Sequence, residues 1–127
     1  MKTPKWKHWL SYLMEVHLES SSSEHNEYLH VSLNKGRLQL STANAIYSYA
    51  DKYENFYKIF EQIKLNDSIE DVLILGFGLG SIPYMLEEKF GKEYFYTGVE
   101  IDEEVIYLAS KYVLSDLKSE VMLIEAD

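Results

Sequence analysis

The chain has 127 residues, of which 46% are hydrophobic, and a net charge of −9 at pH 7. This length and composition predict a folded globular protein, ordinarily one domain, with a sizeable core. The acidic balance disfavours nucleic acid as a partner, because a phosphate backbone needs clustered Lys and Arg. The absence of cysteine excludes disulfides and thiolate metal sites. No segment approaches the about 20 apolar residues of a membrane span, so we expect a cytoplasmic protein without a membrane partner.

Residues 1–50 are predicted to form an N-terminal antiparallel β meander, because apolar and polar residues alternate there. A polar loop over 20–27 joins the first two strands. The tight-turn sequence Asn34-Lys35-Gly36 joins the last two, since Asn and Gly tolerate positive φ. The three strands are expected at residues 10–19, 28–33 and 37–41.

Residues 51–127 are predicted to alternate helices and strands. A helix over 51–64 has one apolar face, formed by Tyr53, Phe56, Tyr57, Phe60 and Ile63. Strands at 72–75, 94–100 and 120–127 then alternate with helices at 81–90 and 102–114. The run "VLIL" of the first strand is typical of a strand buried on both faces of a parallel sheet. With right-handed crossovers, this β-α-β-α-β pattern predicts three parallel strands in the order 3-2-1.

Each parallel strand delivers a candidate binding group at its carboxyl end, where open α/β sheets hold their ligands. Gly76, Gly78 and Gly80 follow the first strand, Glu100 ends the second and Asp127 ends the third. Glycines at such a turn let backbone amides approach a ligand with no Cβ in the way. The N-terminus of the next helix favours negative charge.

Glu100 lies twenty residues after Gly80, a spacing at which an acid can accept hydrogen bonds from both hydroxyls of a ribose. Asp127 is placed to accept a hydrogen bond from an adenine amino group. With the glycine turn, these two acids predict an adenosine-binding site. No residue is assigned as catalytic, and His17 and His30, without a nearby carboxylate pair, predict no metal site.

The turn Gly76-Phe77-Gly78-Leu79-Gly80 has the form G-x-G-x-G, which resembles motif I of class I S-adenosylmethionine-dependent methyltransferases. The ligand of that superfamily has no phosphate and presents an amino acid to the glycine turn. The resemblance implies that S-adenosylmethionine, or a related adenosyl-sulfur compound, is the cofactor.

The sequence around the turn resembles the spermidine synthase family, over roughly residues 28–127. "NKGRLQLS", followed by "DKYENFYKIFEQI", is similar to that family's N-terminal hairpin and first helix, and "GVEIDEEVI" is similar to its second-strand signature. The resemblance implies that Gln39 lies near the sulfonium end of the ligand and that Tyr53 or Tyr57 lies near the substrate mouth. It also implies a small, cationic acceptor as the second substrate.

The sequence leaves open which group is transferred. Aminopropyltransferases of the family usually carry an acidic G-G-G-D-G-G turn, and Leu79 stands in the place of the acid. Methyl transfer and aminopropyl transfer, from S-adenosylmethionine or its decarboxylated form, are therefore both considered. An NAD-dependent oxidoreductase domain is a further alternative, against which Ser81 at the sixth position of the turn counts. A non-catalytic binding or assembly module that retains the fold is another.

The family's sheet has seven strands, and its catalytic acid follows the fourth. The sequence is therefore interpreted as an N-terminal meander plus the first half of a Rossmann-like methyltransferase sheet, which is either truncated and inactive as a fragment or a natural half-fold. In such a half-sheet, residues 72–75 would form an exposed apolar edge, which other strands can pair with. We therefore expect a homo-oligomer.

Overall fold

The computed structural model describes residues 3–127 as a mixed α/β protein with two separate β-sheets. The α-helices are α1 (Lys5–Leu10), α2 (Glu54–Gln62), α3 (Ser81–Phe90) and α4 (Glu103–Tyr112). The strands are β1 (Val16–Ser21), β2 (Leu29–Asn34), β3 (Arg37–Ser41), β4 (Ile46–Ser48), β5 (Asp71–Leu75), β6 (Phe95–Glu100) and β7 (Val121–Glu125). Short 3-10 helices cover Ala50–Lys52 and Leu114–Asp116.

The first sheet is antiparallel, with the strand order β1-β2-β3-β4. β2 and β3 are joined by Lys35 and Gly36, whose φ angles are 50° and 76°. Positive φ at both central residues is typical of a two-residue turn that matches the twist of a hairpin. The predicted tight turn and the predicted bounds of the third strand are thus confirmed.

The prediction of a strand over residues 10–19 is wrong in its first half. Helix α1 and a turn occupy that part of the chain, and the first strand begins only at Val16. The end of the helix is held by the hairpin, because Lys35 N donates to Ser11 O at 2.8 Å and Gly36 N donates to Ser11 Oγ at 2.9 Å. The strand also continues to Ser21, two residues into the predicted loop.

The second sheet is parallel, with the strand order β5-β6-β7. Its middle strand is the second of the three in the chain, as the crossover rule predicts. Leu75 pairs in register with Val99, which pairs with Ile124 on its other side. Helix α3 has its predicted bounds and ends at Gly91, whose φ of 62° is typical of a helix stop.

One face of the parallel sheet is covered and the other is bare, so the prediction that residues 72–75 are buried on both faces is wrong. Ile74 packs into the core, whereas Leu73 and Leu75 are 63% and 76% exposed. Further exposed apolar side chains lie on the same face, namely Phe95, Met122 and Ile124. An apolar run in the sequence predicts that a strand is buried. It does not specify which helices or strands would cover each face.

A shared hydrophobic core joins the two sheets through α3 and α4. It includes Leu40 of the first sheet, Tyr96 of the second, and Leu86 and Leu108 of the helices. Polar contacts at the edge of this core hold β1 to α4. Glu19 accepts hydrogen bonds from Lys111 Nζ at 2.7 Å and from Tyr112 Oη at 2.6 Å, and these bonds lower the pKa of its carboxyl group.

Asp51 forms a second polar link between the two halves of the chain. Its carboxylate accepts hydrogen bonds from Arg37 of β3 and pairs with Lys89 of α3 at 3.1 Å. Burial disfavours the charge on Asp51, but the two cations outweigh burial and lower its pKa. The hairpin is therefore fixed to the helix that follows the glycine turn.

Helix α2 is shorter than the predicted helix over 51–64, and its apolar face is only half-buried. Tyr57 and Phe60 pack against Phe90 at the end of α3, with ring centroids 5.7 and 6.0 Å apart. Ile59 and Ile63 remain exposed. Within the part of the chain that the structure describes, no helix combines the length and apolar character needed to cross a membrane.

We expect the bare face of the parallel sheet to cause self-association, since exposed apolar patches of this kind mark interaction surfaces. The double substitution Leu73→Thr, Leu75→Thr keeps strand propensity while removing apolar surface, and it should shift the mass from light scattering toward that of a monomer. Leu13→Thr, Met14→Thr removes exposed apolar side chains elsewhere and should not. A wild-type protein that stays monomeric at all concentrations would contradict this expectation.

Candidate ligand-binding site

The glycine turn connects β5 to α3 at the carboxyl edge of the parallel sheet. Gly76, Gly78 and Gly80 have φ angles of 76°, 57° and 65°, which residues with a Cβ adopt at a cost. The start of the turn is fixed to β6, because Gly76 N and Phe77 N donate to Val99 O at 2.8 and 3.2 Å. A residue with a Cβ at any of these three positions would therefore strain the backbone.

The ring of Phe77 lies inside the turn, between two glycines. A Cβ at Gly98 would lie 2.5 Å from Phe77 Cδ2 and 2.7 Å from a methyl group of Leu123, and one at Gly80 would lie 3.2 Å from Phe77 Cζ. Only 4% of Phe77 is exposed. Gly98 was not predicted as part of the site, although a glycine within a strand often marks a close approach.

Glu100 and the glycine turn are brought together by one direct hydrogen bond. Gly78 N donates to Glu100 Oε2 at 3.0 Å. The other carboxylate oxygen, Oε1, accepts from Ile101 N at 3.1 Å and Asp102 N at 3.3 Å. An ionised carboxylate has about four lone-pair sites, so Glu100 is oriented by backbone amides and can still accept hydrogen bonds from a ligand.

Ser81, at the sixth position of the turn, is hydrogen-bonded to the end of β4 and to the residue that follows it. Ser81 Oγ lies 2.6 Å from Ser48 Oγ and accepts a hydrogen bond from Tyr49 N at 3.1 Å. The Ser81 hydroxyl is therefore used within the protein. Helix α3 has no side-chain cap at its N-terminus, which leaves backbone N–H groups of its first turn available to a ligand.

The polar loop of the meander reaches the same edge through Asp102. Asp102 Oδ2 accepts from Ser23 Oγ at 2.6 Å and from Asn26 Nδ2 at 2.7 Å, while Oδ1 caps α4 by accepting from Glu104 N at 3.0 Å. Only 1% of Asp102 is exposed. Burial alone would raise its pKa, but these hydrogen bonds outweigh burial and lower the pKa.

A cavity of about 300 Å³ lies at the carboxyl ends of β6 and β7, next to Glu100. One wall comes from the polar loop and the other from the start of α4. The lining residues are Ser22, Ser23, Glu24, His25, Ile101, Asp102, Glu103, Glu104 and Glu125. Their carboxylates make the cavity acidic, which suits a cationic ligand rather than an anionic one. Residues 20–27 were predicted only as a connecting loop, so this wall of the cavity was not predicted.

Asp127 lies beyond the end of its strand and is exposed. Strand β7 ends at Glu125, which lines the cavity, and Ala126 N donates to Glu100 O at 3.1 Å. The backbone is thus still hydrogen-bonded to the end of β6 at Ala126, one residue before Asp127. The acid that the structure places on the cavity wall at this strand end is Glu125.

Gln39 and the candidate tyrosines lie elsewhere. Gln39 Oε1 accepts from Asn34 Nδ2 at 3.4 Å, and its side chain lies on the sheet face opposite to Leu40, which packs in the same core as the turn. Tyr53 stacks on Phe56, and Tyr57 contacts Phe90. The structure therefore brings Gly78 and Glu100 together, and leaves Gln39 on another face.

The sequence matches no protein-family model, and a search of curated proteins finds no match. Among residues 3–127, no group of three His, Asp or Glu side chains is arranged to hold a metal ion.

Gly98→Ala should destabilise the protein by about 1–3 kcal/mol, as overpacking of a core does. The physical reason is the contact that the new methyl group would make with Phe77 and Leu123. Urea denaturation measures the free energy of unfolding. Adding Phe77→Leu should recover part of the loss through non-additivity, and a Gly98→Ala protein as stable as the wild type would refute the close packing.

Asp102→Asn should cost about 1–3 kcal/mol at pH 7, because hydrogen bonds to a charged acceptor are lost. A carboxyl group whose pKa is lowered on folding stabilises the protein above its unfolded pKa, and this stabilisation is lost as the pH falls through the folded pKa. The difference between wild type and variant should therefore shrink from pH 7 to below the ordinary value of 3.8.

Urea denaturation at several pH values measures that difference. Asp71→Asn, which removes an exposed carboxyl group, serves as the matched control and should show a smaller effect at pH 7. A pH-independent loss in Asp102→Asn would indicate that packing, rather than charge, is what the substitution removes.

Proposed function

We propose that the carboxyl edge of the parallel sheet binds S-adenosylmethionine, its decarboxylated form or a related adenosyl-sulfur compound. The observation that carries the proposal is the hydrogen bond from Gly78 N to Glu100 Oε2 at 3.0 Å. It joins the glycine turn and the strand-end acid into one site, as an adenosine ligand that spans both would require. The proposed fold is the first half of a Rossmann-like methyltransferase sheet.

In this proposal, Glu100 accepts hydrogen bonds from the ribose hydroxyls. Gly76, Gly78 and Gly80 hold the methionine-like part of the ligand near the first turn of α3, and the acidic cavity beside Glu100 receives the adenine. Asp127 stays a proposed partner of the adenine amino group. A role for Gln39 is not supported by its position.

The charge at the edge favours a sulfonium compound over a dinucleotide. A carboxylate already lies against the amide of Gly78, where a pyrophosphate would approach the turn, and like charges at short distance repel. The hydroxyl of Ser81, at the sixth position of the turn, is hydrogen-bonded to Ser48 and Tyr49 rather than facing a ligand. Both observations count against the NAD-dependent oxidoreductase alternative.

The reaction that we propose for the functional protein is transfer of a methyl or aminopropyl group to a small, cationic acceptor, as in spermidine synthase-like enzymes. Attack on a carbon bonded to a sulfonium depends chiefly on alignment of the two reactants. Cofactor binding is proposed for this chain, and none of its residues is proposed as catalytic.

A non-catalytic assembly module is the second candidate, and the bare face of the parallel sheet favours it. Parallel sheets are normally covered on both faces, so we propose that further polypeptide, in a homo-oligomer or from another source, covers Leu73 and Leu75. This candidate predicts association without binding of any adenosyl compound.

Isothermal titration calorimetry with S-adenosylmethionine, methylthioadenosine and NAD distinguishes these functions. We expect binding of the two adenosyl-sulfur compounds and none of NAD. Glu100→Gln should weaken binding tenfold or more, because a hydrogen bond to a charged acceptor contributes about 1.5–3 kcal/mol. Glu93→Gln, at an exposed acid that lies outside both the glycine turn and the acidic cavity, should leave the affinity almost unchanged.

Circular dichroism of both variants checks that the fold is retained. Binding of NAD alone would support the oxidoreductase alternative. If no ligand binds to a folded wild-type protein, the adenosyl-sulfur proposal is wrong and the assembly module is favoured.

A further inference from the structure

A second cavity, of about 330 Å³, lies on the other side of the α3–α4 layer from the bare sheet face. Its walls come from α1, the β2–β3 hairpin, α3 and the end of α4. Leu38, Leu79 and Val113 supply an apolar lining. The volume is at the lower end of the range typical of small-molecule sites, which are mostly apolar with a few convergent polar groups.

The hydroxyl of Tyr84 is a polar group of this cavity that can still bind a ligand. Tyr84 is half-buried, and the described residues supply no hydrogen-bond partner for its hydroxyl. Burial, followed by the charges of Glu88 and Asp51, raises its pKa. The hydroxyl therefore stays protonated at neutral pH and can donate a hydrogen bond to a ligand.

Cationic side chains outnumber carboxylates in the lining of the same cavity, although the chain as a whole carries −9. Its charged lining residues are Lys5, Arg37 and one acid, Asp116. Arg37 donates to Asp51 through Nε and Nη2 and to Lys35 O through Nη1, which leaves two of its five N–H groups unused. Asp51 is shared with Lys89, so one carboxylate is opposed by two cations.

We propose that this cavity binds a small molecule with an apolar body and one carboxylate group. The body would pack against Leu38, Leu79 and Val113, and the carboxylate would accept hydrogen bonds from Tyr84 and Arg37 and pair with Lys5. Each part of the ligand then meets a group of matching chemistry. The site shares Leu79 with the glycine turn, but it does not include Glu100, so the proposal does not depend on adenosyl binding.

The test is an NMR titration of the intact protein with three probes of one shape, 4-phenylbutyrate, 4-phenylbutanol and 4-phenylbutylamine. We expect saturable shifts of the methyl groups of Leu38, Leu79 and Val113 with 4-phenylbutyrate. The alcohol should bind about tenfold more weakly, since charge-assisted hydrogen bonds are lost, and the amine should bind more weakly still.

Variants of α1 provide a matched pair. Lys5→Glu should reduce the affinity for 4-phenylbutyrate about tenfold and remove the preference over the alcohol. Lys7→Glu makes the same change of charge in the same helix, at a residue that does not line the cavity, and should have little effect. Tyr84→Phe should weaken binding of 4-phenylbutyrate more than binding of the amine.

Equal binding of the three probes by the wild-type protein would overturn the proposal, since it would reflect apolar contact alone. Shifts confined to Leu73 and Leu75 would place the probe on the bare sheet face and would overturn it too. So would the absence of shifts with 4-phenylbutyrate at millimolar concentration. None of these outcomes requires a variant to fold.

Discussion

The packing of the Phe77 ring between Gly80 and Gly98 is the constraint on which the carboxyl edge depends. Because the ring fills the space that a Cβ of either glycine would need, the turn folds back over its own aromatic side chain. That course directs Gly78 N toward the end of β6, where it meets the Glu100 carboxylate. The Phe77 ring thus helps to hold Gly78 N within hydrogen-bond distance of the Glu100 carboxylate without any ligand.

Carboxylates, rather than cations, dominate this edge. Glu100 is oriented by three backbone amides, and Asp102 is buried at the start of α4 with the meander loop bonded to it. Arg37 and Lys89 instead meet at Asp51, where β3 and α3 come together. The carboxylates of the carboxyl edge therefore have hydrogen-bond donors rather than cations as their partners, and their negative charge remains available to attract a cationic ligand.

Local sequence signals were sufficient for much of the fold. The bounds of β3 and α3 follow from alternation, helical spacing and flanking glycines, and the middle position of β6 follows from crossover handedness. Helix α1 was not predicted because its end is fixed by the distant hairpin. The exposure of Leu73 and Leu75 in β5 was not predicted, because an apolar sequence does not specify which elements cover a strand. Within the candidate site, strand ends predicted the turn and Glu100, whereas the loop partners of Asp102 had no local signal.

The hydrogen bonds of Asp102 also bear on the order of folding. Ser23 and Asn26 precede it by 79 and 76 positions, and contacts between such distant residues form at a high cost in loop-closure entropy. We expect the meander to pair its own strands early, since they are neighbours in the chain. Its polar loop, by contrast, bonds to an acceptor that lies between β6 and α4. The acidic cavity therefore requires both sheets.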